Sequence, residues 1–353
     1  MAGKTHRPHA RRPRPNGRAD AATIKEVALR AGVSIATVSR AFANPEAVRE
    51  QLRTRVYEAA RALRYQPSRV ARSLRAGTSQ TIGVVIPDLQ NPFFTAVVRG
   101  VEGVLQAAGF SLLLGNSDEN PGREEELLTT LRAEGVAGII FVPLNPKKST
   151  YQQILDPRMP LVAVDRLPHQ LKVDLVTVAN AAGARMAVAH LIERGHRRIA
   201  LLGGPSRHST AVERERGYVA ALRGASVAIR PDLIYRGDFR EGGGYDGMRA
   251  LLAVPHPPTA VFAANNLMTM GALRALHEKG RQIPGDMALV GFDDIPWATS
   301  LNPPLTTVAQ PEAEIGRTAA ELLLARINDP DRPVRHVVLE PALVVRASCG
   351  KRA

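Results

Sequence analysis

The stretch TIKEVALRAGVSIATVSRAF, residues 23–42, decides how the N-terminal part of the chain folds. Thr23 followed three residues later by Glu26 forms a capping box, which predicts a helix that starts at the next residue. Gly32 supplies the backbone freedom to end this helix, and Ser34 is a good N-cap for a second one. Two short amphipathic helices around a tight turn are typical of a helix-turn-helix, although an ordinary packed helix pair has the same pattern.

The second of these helices is the one predicted to read DNA. Val38 and Ala41 would face inward, so the opposite face is free to enter a major groove. Ile35 and Ala36 are suited to thymine methyl groups, and Arg40 to a guanine or a phosphate. A third helix from about residue 45 to residue 63 would close the small core. The predicted DNA-contacting residues here are Thr23, Ser34, Ile35, Ala36, Thr37, Ser39 and Arg40.

Positive charge is concentrated at the N-terminal end of the chain. The formal net charge is +14, and the first 76 residues carry 17 basic and 5 acidic side chains. A polyanionic partner for this end explains the asymmetry better than a general preference for arginine, which would not stop near residue 76. Residues 1–21 are predicted to be a disordered basic arm, either a phosphate contact or an unstructured leader.

The opening stretch, together with LRYQPSRVARSLRAGTSQTIGVVIPD at residues 63–88, closely resembles the start of the lactose-repressor (LacI/GalR) family. The similarity continues to the end of the chain. It implies a helix-turn-helix DNA-binding domain over 22–66, a hinge helix and linker over 67–77, and a homodimer on a palindromic operator. An all-α head with a hinge helix, followed by an α/β core, is therefore the expected fold class.

The hinge is predicted to be a short helix that is stable only on DNA. Pro67 presets its first turn, but so short a helix is marginal in water and needs a partner hinge and DNA for support. The resemblance implies that Leu74 is a wedge in the minor groove, which kinks the duplex. The alternative is a linker residue that packs on the core. The further DNA contacts expected in the hinge are Arg69, Arg72 and Ser73.

From residue 78 onward, apolar runs alternate with amphipathic helical stretches, which predicts parallel sheets covered by helices on both faces. Two such sets indicate two doubly wound lobes, and the resemblance implies the fold of periplasmic sugar-binding proteins. The effector-binding and dimerisation domain is placed at 78–347. Its first lobe covers about 78–178 and 310–328, and its second covers about 179–309 and 329–347.

Ligands of open α/β sheets bind beyond the carboxyl ends of the strands, where this chain carries polar residues. Carboxylates, amides and an arginine around aromatic faces suit a sugar, whose hydroxyls need donors and acceptors. For each such residue the alternative is a strand-end cap or a salt bridge between the lobes. His208 stands where the purine-responsive member of the family has arginine, which argues against a purine. The position after the first strand makes Asn91 an expected effector-binding residue. The others, which the resemblance implies, are Phe93, Asp165, Arg214, Phe239, Asn265 and Asp293.

Several other classes of protein are disfavoured by the sequence. Cys349 is the only cysteine, no histidine spacing suits a metal, and no hydrolase motif occurs, so neither a cofactor, a metal site nor an enzyme is expected. The glycine-rich run at 242–247 has the wrong spacing for a phosphate loop and is better explained as part of a helix. No signal peptide or membrane span is evident, which predicts a cytoplasmic, nucleoid-associated protein.

The sequence therefore predicts a ligand-responsive transcriptional repressor of sugar uptake or catabolism genes. Its expected partners are double-stranded operator DNA, a small effector in the cleft between the lobes, and a second copy of itself. The C-terminus lacks leucine heptads, which favours a dimer over a tetramer. The alternatives are a soluble sugar-binding protein without a role on DNA and an enzyme on the same scaffold.

Overall fold

The computed structural model describes residues 22–65, 79–144, 151, 158–168 and 171–350. The chain divides into two compact units, with the boundary between Thr78 and Ser79. The predicted basic arm and the predicted hinge, with Arg69, Arg72, Ser73 and Leu74, lie outside the described residues.

The first unit is a small three-helix head. Its helices are α1 (Ile24–Ala31), α2 (Ile35–Ala43) and α3 (Glu50–Ala62). The prediction of one continuous third helix from about residue 45 was wrong. Pro45–Ala47 form a separate 3₁₀ turn, and the extended backbone of Val48 and Arg49 lets the buried Val48 side chain reach the core before α3 begins. This core is closed mainly by small side chains from all three helices.

The second unit contains two α/β lobes. The sheet of the first lobe has the order β11-β5-β4-β3-β1-β2, and all its strands are parallel. Its strands are β1 (Thr81–Ile86), β2 (Ser111–Asn116), β3 (Gly138–Phe141), β4 (Leu161–Val164), β5 (Asp174–Val178) and β11 (His336–Leu339). Its helices are α4 (Pro92–Ala107), α5 (Pro121–Ala133) and α10 (Glu312–Asn328).

The second lobe repeats this plan. Its sheet has the order β12-β10-β9-β8-β6-β7, in which only β12 runs antiparallel to its neighbour. Its strands are β6 (Ile199–Gly203), β7 (Ile234–Arg236), β8 (Ala260–Ala263), β9 (Ala288–Phe292), β10 (Thr306–Ala309) and β12 (Ala342–Val344). Its helices are α6 (Asn180–Glu193), α7 (Ser209–Gly224), α8 (Glu241–Ala253) and α9 (Asn266–Glu278). The central strands of both sheets are buried on both faces, as helix-covered parallel sheets require.

One predicted boundary between the lobes was wrong. Residues 329–347 were assigned to the second lobe, but β11 pairs with β5 in the first sheet, and only β12 lies in the second. The cause is the buried Asp174, which binds residues at the end of α10 and just before β11. Asp174, at the start of β5, accepts hydrogen bonds from the Arg326 guanidinium at 3.0 Å and from the Arg335 backbone N–H at 2.7 Å. These hydrogen bonds hold the segment before β11 at the edge of the first sheet, so β11 pairs with β5 before the chain crosses to the second sheet.

Candidate functional site

The first helix of the head begins and ends as the sequence predicts. The Thr23 backbone N–H donates to Glu26 Oε2 at 2.6 Å, and the Glu26 backbone N–H donates to Thr23 Oγ1 at 3.4 Å. Gly32 ends the helix with φ at +61°, and a Cβ there would lie 2.6 Å from the Arg55 guanidinium. That guanidinium donates to the Ala31 carbonyl at 2.6 Å, so the tight turn is fixed from both sides.

Helix α2 presents its N-terminal residues on the surface of the head. The Thr37 backbone N–H donates to Ser34 Oγ at 3.1 Å, so Ser34 is the N-cap. Val38 and Ala41 are fully buried on the inner face. The predicted DNA-contacting residues of the head are all accessible: Thr23, Ser34, Ile35, Ala36 and Arg40 are exposed, and Thr37 and Ser39 are half-buried. A capped helix with an accessible N-terminal turn is the geometry used to read base edges in a major groove.

The seven predicted effector-binding residues converge on one cavity between the lobes of the second unit. The cavity encloses about 400 Å³ out to where it opens on solvent. Each of the seven is less than a tenth exposed. They come from the ends of β4, β7 and β9 and from the starts of α4, α7 and α9, which is where a doubly wound sheet places its ligands.

Two of the seven also have the capping role considered as their alternative. Asn91 is the N-cap of α4, because its Oδ1 accepts from the Phe93 backbone N–H at 3.0 Å. Asn265 is the N-cap of α9 and also donates from Nδ2 to the Phe239 carbonyl at 2.9 Å. Their side chains therefore hold the cavity wall in shape, with part of their hydrogen-bonding capacity already used.

The backbone is strained at several points around the cavity. Asp165, Phe239 and Asp293 have φ values of +67°, +66° and +72°, and Glu119, which also lines the cavity, has +53°. Non-glycine residues in this left-handed region cost on the order of 1–3 kcal/mol each and cluster at functional sites. The sharp turn after each strand directs the following side chain into the cleft.

Arg214 is the central cation of the cavity. Its Nε donates to Asn180 Oδ1 at 2.8 Å, its Nη1 donates to the Ala264 carbonyl at 2.5 Å, and its guanidinium lies 3.7 Å from the Phe292 ring centre. Asp293 faces it. Burial raises the pKa of Asp293, although Arg214 opposes the rise, and the Gln310 amide donates to Asp293 Oδ1 at 2.5 Å.

A second cluster of polar and charged side chains, Glu119, Arg166 and His208, includes residues of both lobes. Arg166 donates to Glu119 from both terminal nitrogens, at 3.0 and 2.6 Å, and His208 Nε2 of the second lobe lies 3.4 Å from Glu119 Oε2. Burial would raise the pKa of Glu119, but interactions with His208 and Arg166 outweigh it and hold this pKa at about 2. Burial lowers the pKa of His208, so the imidazole is neutral near pH 7. The His208 ring also stacks on Phe239 at 6.2 Å between centroids.

Asp165 lies beside this group and is harder to ionise. Its Oδ2 lies 3.6 Å from Arg166 Nε, a distance too long for a hydrogen bond. Burial raises the pKa of Asp165 to about 6, and the nearby Arg166 and Arg214 only partly oppose the rise. The first-lobe wall therefore offers a carboxylate whose bonding capacity is largely free for a ligand.

Four lining residues were missed by sequence reasoning: Glu119, Arg166, Thr210 and Gln310. Arg166 directly follows Asp165, and Gln310 directly follows β10, so a consistent use of the strand-end rule would have found both. Glu119 lies three residues beyond β2 and could have been found by the same rule. Thr210 lies in the first turn of α7 and carries no such signal. Asp88, two residues beyond β1, and Phe94, in the first turn of α4, also line the cavity.

Unsatisfied polar atoms also concentrate at this cavity. Among the described residues, five buried side-chain atoms have no hydrogen-bond partner, and four of them belong to residues in or beside its wall. These four are Arg166 Nε, His208 Nε2, Asn266 Oδ1 and Gln310 Oε1. An unsatisfied buried polar group costs about 1–3 kcal/mol, so these atoms favour a ligand with several hydroxyls that can pair with them.

Besides the approach of His208 to Glu119, three further contacts between described residues join the lobes at the cleft. Asn266 Nδ2 donates to Asn91 Oδ1 at 2.8 Å, and the Leu167 backbone N–H donates to Ser209 Oγ at 3.0 Å. Arg240 donates to the carbonyl and to the carboxylate of Asp118 at 2.8 and 3.0 Å. These contacts make the separation of the lobes sensitive to what occupies the cavity.

The other predicted features were checked over the same described residues. The glycine-rich run at 242–247 lies inside α8. No group of three histidine, cysteine, aspartate or glutamate side chains in the described part of the chain could hold a metal ion. None of its helices is both long enough and apolar enough to cross a membrane.

Comparison with known proteins assigns both units. The model of bacterial regulatory proteins, lacI family, matches residues 23–68, and the model of the periplasmic binding protein-like domain matches residues 188–349. The ribose operon repressor of Escherichia coli strain K12 is 37% identical over 330 residues, which cover 93% of this chain and 99% of that protein.

Two solved structures match this chain over nearly its whole length. The complex of the transcriptional regulator CelR with cellobiose is 35% identical, with a TM-score of 0.70, and the match covers 93% of this chain and 99% of that one. The lac repressor dimer bound to operator and the anti-inducer ONPF is 28% identical, with a TM-score of 0.83, and the match covers 94% and 99%. Because the match extends through both the capped head and the two-lobed core, the chain belongs to the lacI family of bacterial regulatory proteins.

Proposed function

We propose that this chain is a transcriptional repressor whose head binds operator DNA and whose cleft binds a neutral sugar that alters DNA affinity. The observation that carries the proposal is that one chain joins a capped, surface-exposed reading helix to a buried polar cavity between two lobes. The similarity to the ribose operon repressor, to CelR with cellobiose and to the operator-bound lac repressor supports both halves.

The charges of the cavity favour a neutral ligand over a sugar phosphate. Arg166 is paired with Glu119, and two of the three nitrogens of the Arg214 guanidinium are bonded to Asn180 and to a backbone carbonyl. Acidic residues outnumber basic ones among the residues that line it. A phosphate dianion would therefore meet more carboxylates than guanidinium groups in this wall and would lose its hydration with little compensation.

On DNA, the working unit is a homodimer on an approximately palindromic operator. One head buries too little surface to be specific, and a two-fold axis lets each half-site be read once. Effector binding changes how the lobes close, and through the dimer it changes the affinity for DNA, with a coupling of about 1–3 kcal/mol. Since its partner is operator DNA, the protein acts in the cytoplasm at the nucleoid, and the cleft binds its ligand without chemical change.

The decisive test measures binding of the purified full chain to the DNA upstream of its own gene by gel shift. We expect salt-sensitive binding that changes when one of a panel of neutral monosaccharides and disaccharides is added. The same panel followed by thermal shift identifies the ligand, because a ligand at 100 times its Kd stabilises by about 2.7 kcal/mol. Failure to bind any fragment would exclude the repressor, and stabilisation by sugar phosphates alone would exclude the neutral effector.

A further inference from the structure

A second cavity, here called the outer cavity, opens on the surface of the second lobe at the ends of α8 and α9. It encloses about 950 Å³ out to where it opens on solvent. None of the described residues that line it also lines the cavity between the lobes. Its exposed side chains are Asp246, Arg249, Ala250 and Ala253 of α8, and Lys279 and Arg281 just beyond α9.

The turn after α9 holds Lys279 and Arg281 in a fixed arrangement. The Gly280 backbone N–H donates to the His277 carbonyl at 2.9 Å, and the Arg281 backbone N–H donates to the Leu276 carbonyl at 2.9 Å. This pair of bonds is a Schellman motif, for which Gly280 supplies the positive φ of +62°. An apolar residue often occupies the position of Arg281 and packs back on the helix. Termination of α9 therefore does not require an arginine there.

The three cations of the outer cavity have no acidic partner. Among the described residues, no carboxylate forms an ion pair with Arg249, Lys279 or Arg281. Arg274, which lies on the same pair of helices outside the cavity, is instead bonded to Glu241 at 2.6 Å. The three cations are therefore available to an anion from solution.

Two carboxylates close to these cations in the sequence are bonded elsewhere. Glu278 accepts from the Tyr245 hydroxyl at 2.6 Å, and Asp286 accepts from the Gln282 backbone N–H at 2.8 Å. Among the described residues that line the cavity, Asp246 is the one acidic side chain. The C-terminal ends of α8 and α9 add about −0.5 charge each, which still leaves the cavity positive.

Part of the wall of the outer cavity is apolar. Ala250 and Ala253 lie three residues apart on one exposed face of α8. The helices α8 and α9 are in close contact at Gly271, where a Cβ would overlap the Glu241 carbonyl oxygen. The wall is therefore formed before a ligand binds, and an organic group can lie on the two alanines.

The number of cations favours a phosphate monoester over a carboxylate. A phosphate monoester has three terminal oxygens and about two negative charges at neutral pH, so each of the three cations can donate to a different oxygen. We propose that the outer cavity is a second ligand site, which binds a small phosphate monoester through Arg249, Lys279 and Arg281. The organic part of this ligand packs on the alanines. This site is additional to the cleft of the proposed function, in whose wall acidic residues outnumber basic ones.

The experiment is a calorimetric titration of the full chain at low ionic strength with phenyl phosphate, inorganic phosphate and benzoate. Inorganic phosphate lacks the organic ring, and benzoate replaces the phosphate by a carboxylate. We expect phenyl phosphate to bind with a Kd of about 1 mM or lower, and more tightly than either control. Added salt should weaken this binding, because the cations are exposed.

Two variants test the location of the bound phosphate. Arg281→Ala should weaken phenyl phosphate about tenfold, and it preserves the turn, to which Arg281 contributes its backbone N–H. Ala250→Glu adds a carboxylate to the wall at an exposed helical position and should weaken it at least as much. The matched control is Arg223→Ala, which removes an equal charge from the exposed last turn of α7 outside the cavity. It should change the Kd by less than about twofold.

The inference is overturned if phenyl phosphate does not bind the wild-type chain, or if neither Arg281→Ala nor Ala250→Glu weakens it. Equal weakening by Arg281→Ala and Arg223→Ala would also overturn it, because binding would then follow net charge alone. If benzoate or inorganic phosphate binds as tightly as phenyl phosphate, the cavity does not select a phosphate monoester. None of these outcomes affects the operator and sugar tests of the proposed function.

Discussion

The two candidate sites of this chain are built in opposite ways. In the head, the residues predicted to touch DNA are exposed or half-buried, and only their helix is fixed, by the Ser34 cap and the Gly32 turn. In the core, every predicted effector residue is less than a tenth exposed, three of them have a positive φ, and the charged ones are desolvated. A surface site can change its specificity without cost to the fold, whereas a buried one cannot.

The contrast has a physical basis in solvation. An exposed arginine keeps its water until DNA arrives, so its removal changes binding and leaves the fold intact. A buried arginine has exchanged its water for protein partners, and its removal leaves those partners without compensation. We therefore expect substitutions in the head to change DNA binding without changing stability, and substitutions in the core to change both effector binding and stability.

The largest effect is expected for Arg214→Ala. The substitution removes the partner of Asn180 and of a buried carbonyl and leaves the desolvated Asp293 uncompensated, so it should lower the free energy of unfolding by about 3–5 kcal/mol. Urea denaturation of the full chain measures it. Arg223→Ala is the control, because Arg223 lies on the same helix and is exposed. Similar losses in both variants would contradict the contrast.

In the head, Arg40→Ala should weaken operator binding without changing stability. Loss of one contact to a base or phosphate costs about 1–3 kcal/mol, which is roughly a 5- to 150-fold change in Kd, and a surface substitution changes stability by less than about 0.5 kcal/mol. Gel shifts and denaturation on the same preparation test this. Arg30→Ala removes an equal charge from the exposed end of α1 and should weaken binding far less. Equal effects of the two variants would mean that Arg40 acts only through net charge.

A substitution of Asp165 is expected to stabilise the protein at neutral pH, whereas a substitution of Arg214 is expected to destabilise it. Burial raises its pKa from the ordinary 3.8 to about 6, so the folded state binds this proton more tightly than the unfolded state does. Folding is therefore penalised increasingly as the pH rises from about 4 to 6, and fully above 6. Asp165→Asn should stabilise the protein at pH 7.5 by an amount on the order of 1–3 kcal/mol, with the difference from wild type vanishing near pH 4. Denaturation midpoints measured across this range test the sign.

Asp294→Asn is the control with the opposite sign. Burial opposes the shift, but hydrogen bonds from Arg346 and Thr307 keep the pKa of Asp294 below its ordinary value. Its ionisation stabilises the fold above pH 4, and this contribution is lost as the pH falls. The substitution should therefore destabilise the protein at pH 7.5. If both variants destabilise it equally there, burial is not the dominant influence on Asp165.

The same contrast explains what the sequence could predict. The start and end of α1 and the start of α2 were predicted correctly because each signal, such as Thr23 with Glu26, lies within one helical turn. The placement of Asp165 and Asp293 at the carboxyl edges of their separate sheets also followed from the sequence, because parallel strands bring their carboxyl ends to one edge. These predictions needed only local patterns and one rule of topology.

Other features of the core depend on distant pairs. Glu119 and Arg166 are 47 residues apart in the sequence, and they meet although β3 and β1 lie between β4 and β2 in the sheet. The return of β11 to the first lobe depends on the buried Asp174, which meets Arg326 across 152 residues. The positive φ values around the cavity are likewise imposed by packing, since aspartate and phenylalanine do not require them. No local sequence pattern carries this information.

The smallest effect is expected where the core site reaches the surface. Arg240 and Asp118 join the lobes across the mouth of the cleft, but their side chains are 44% and 43% exposed. Such a pair contributes about 0–1 kcal/mol, so Arg240→Ala should change the affinity for the effector by less than about fivefold and leave the unfolding midpoint unchanged. The change should shrink at high salt, because an exposed pair is screened.

Arg274→Ala is the matched control for this last prediction. Its partner Glu241 lies in the same lobe, and the two side chains are 49% and 46% exposed, so that pair has similar exposure but does not cross the cleft. If both variants shift effector affinity equally, the contact to Asp118 has no role in closing the lobes. If Arg240→Ala instead lowers the free energy of unfolding as much as Arg214→Ala does, the contact at the mouth of the cleft contributes as much as a buried one. The exposed residues at the mouth would then have to be counted with the buried site.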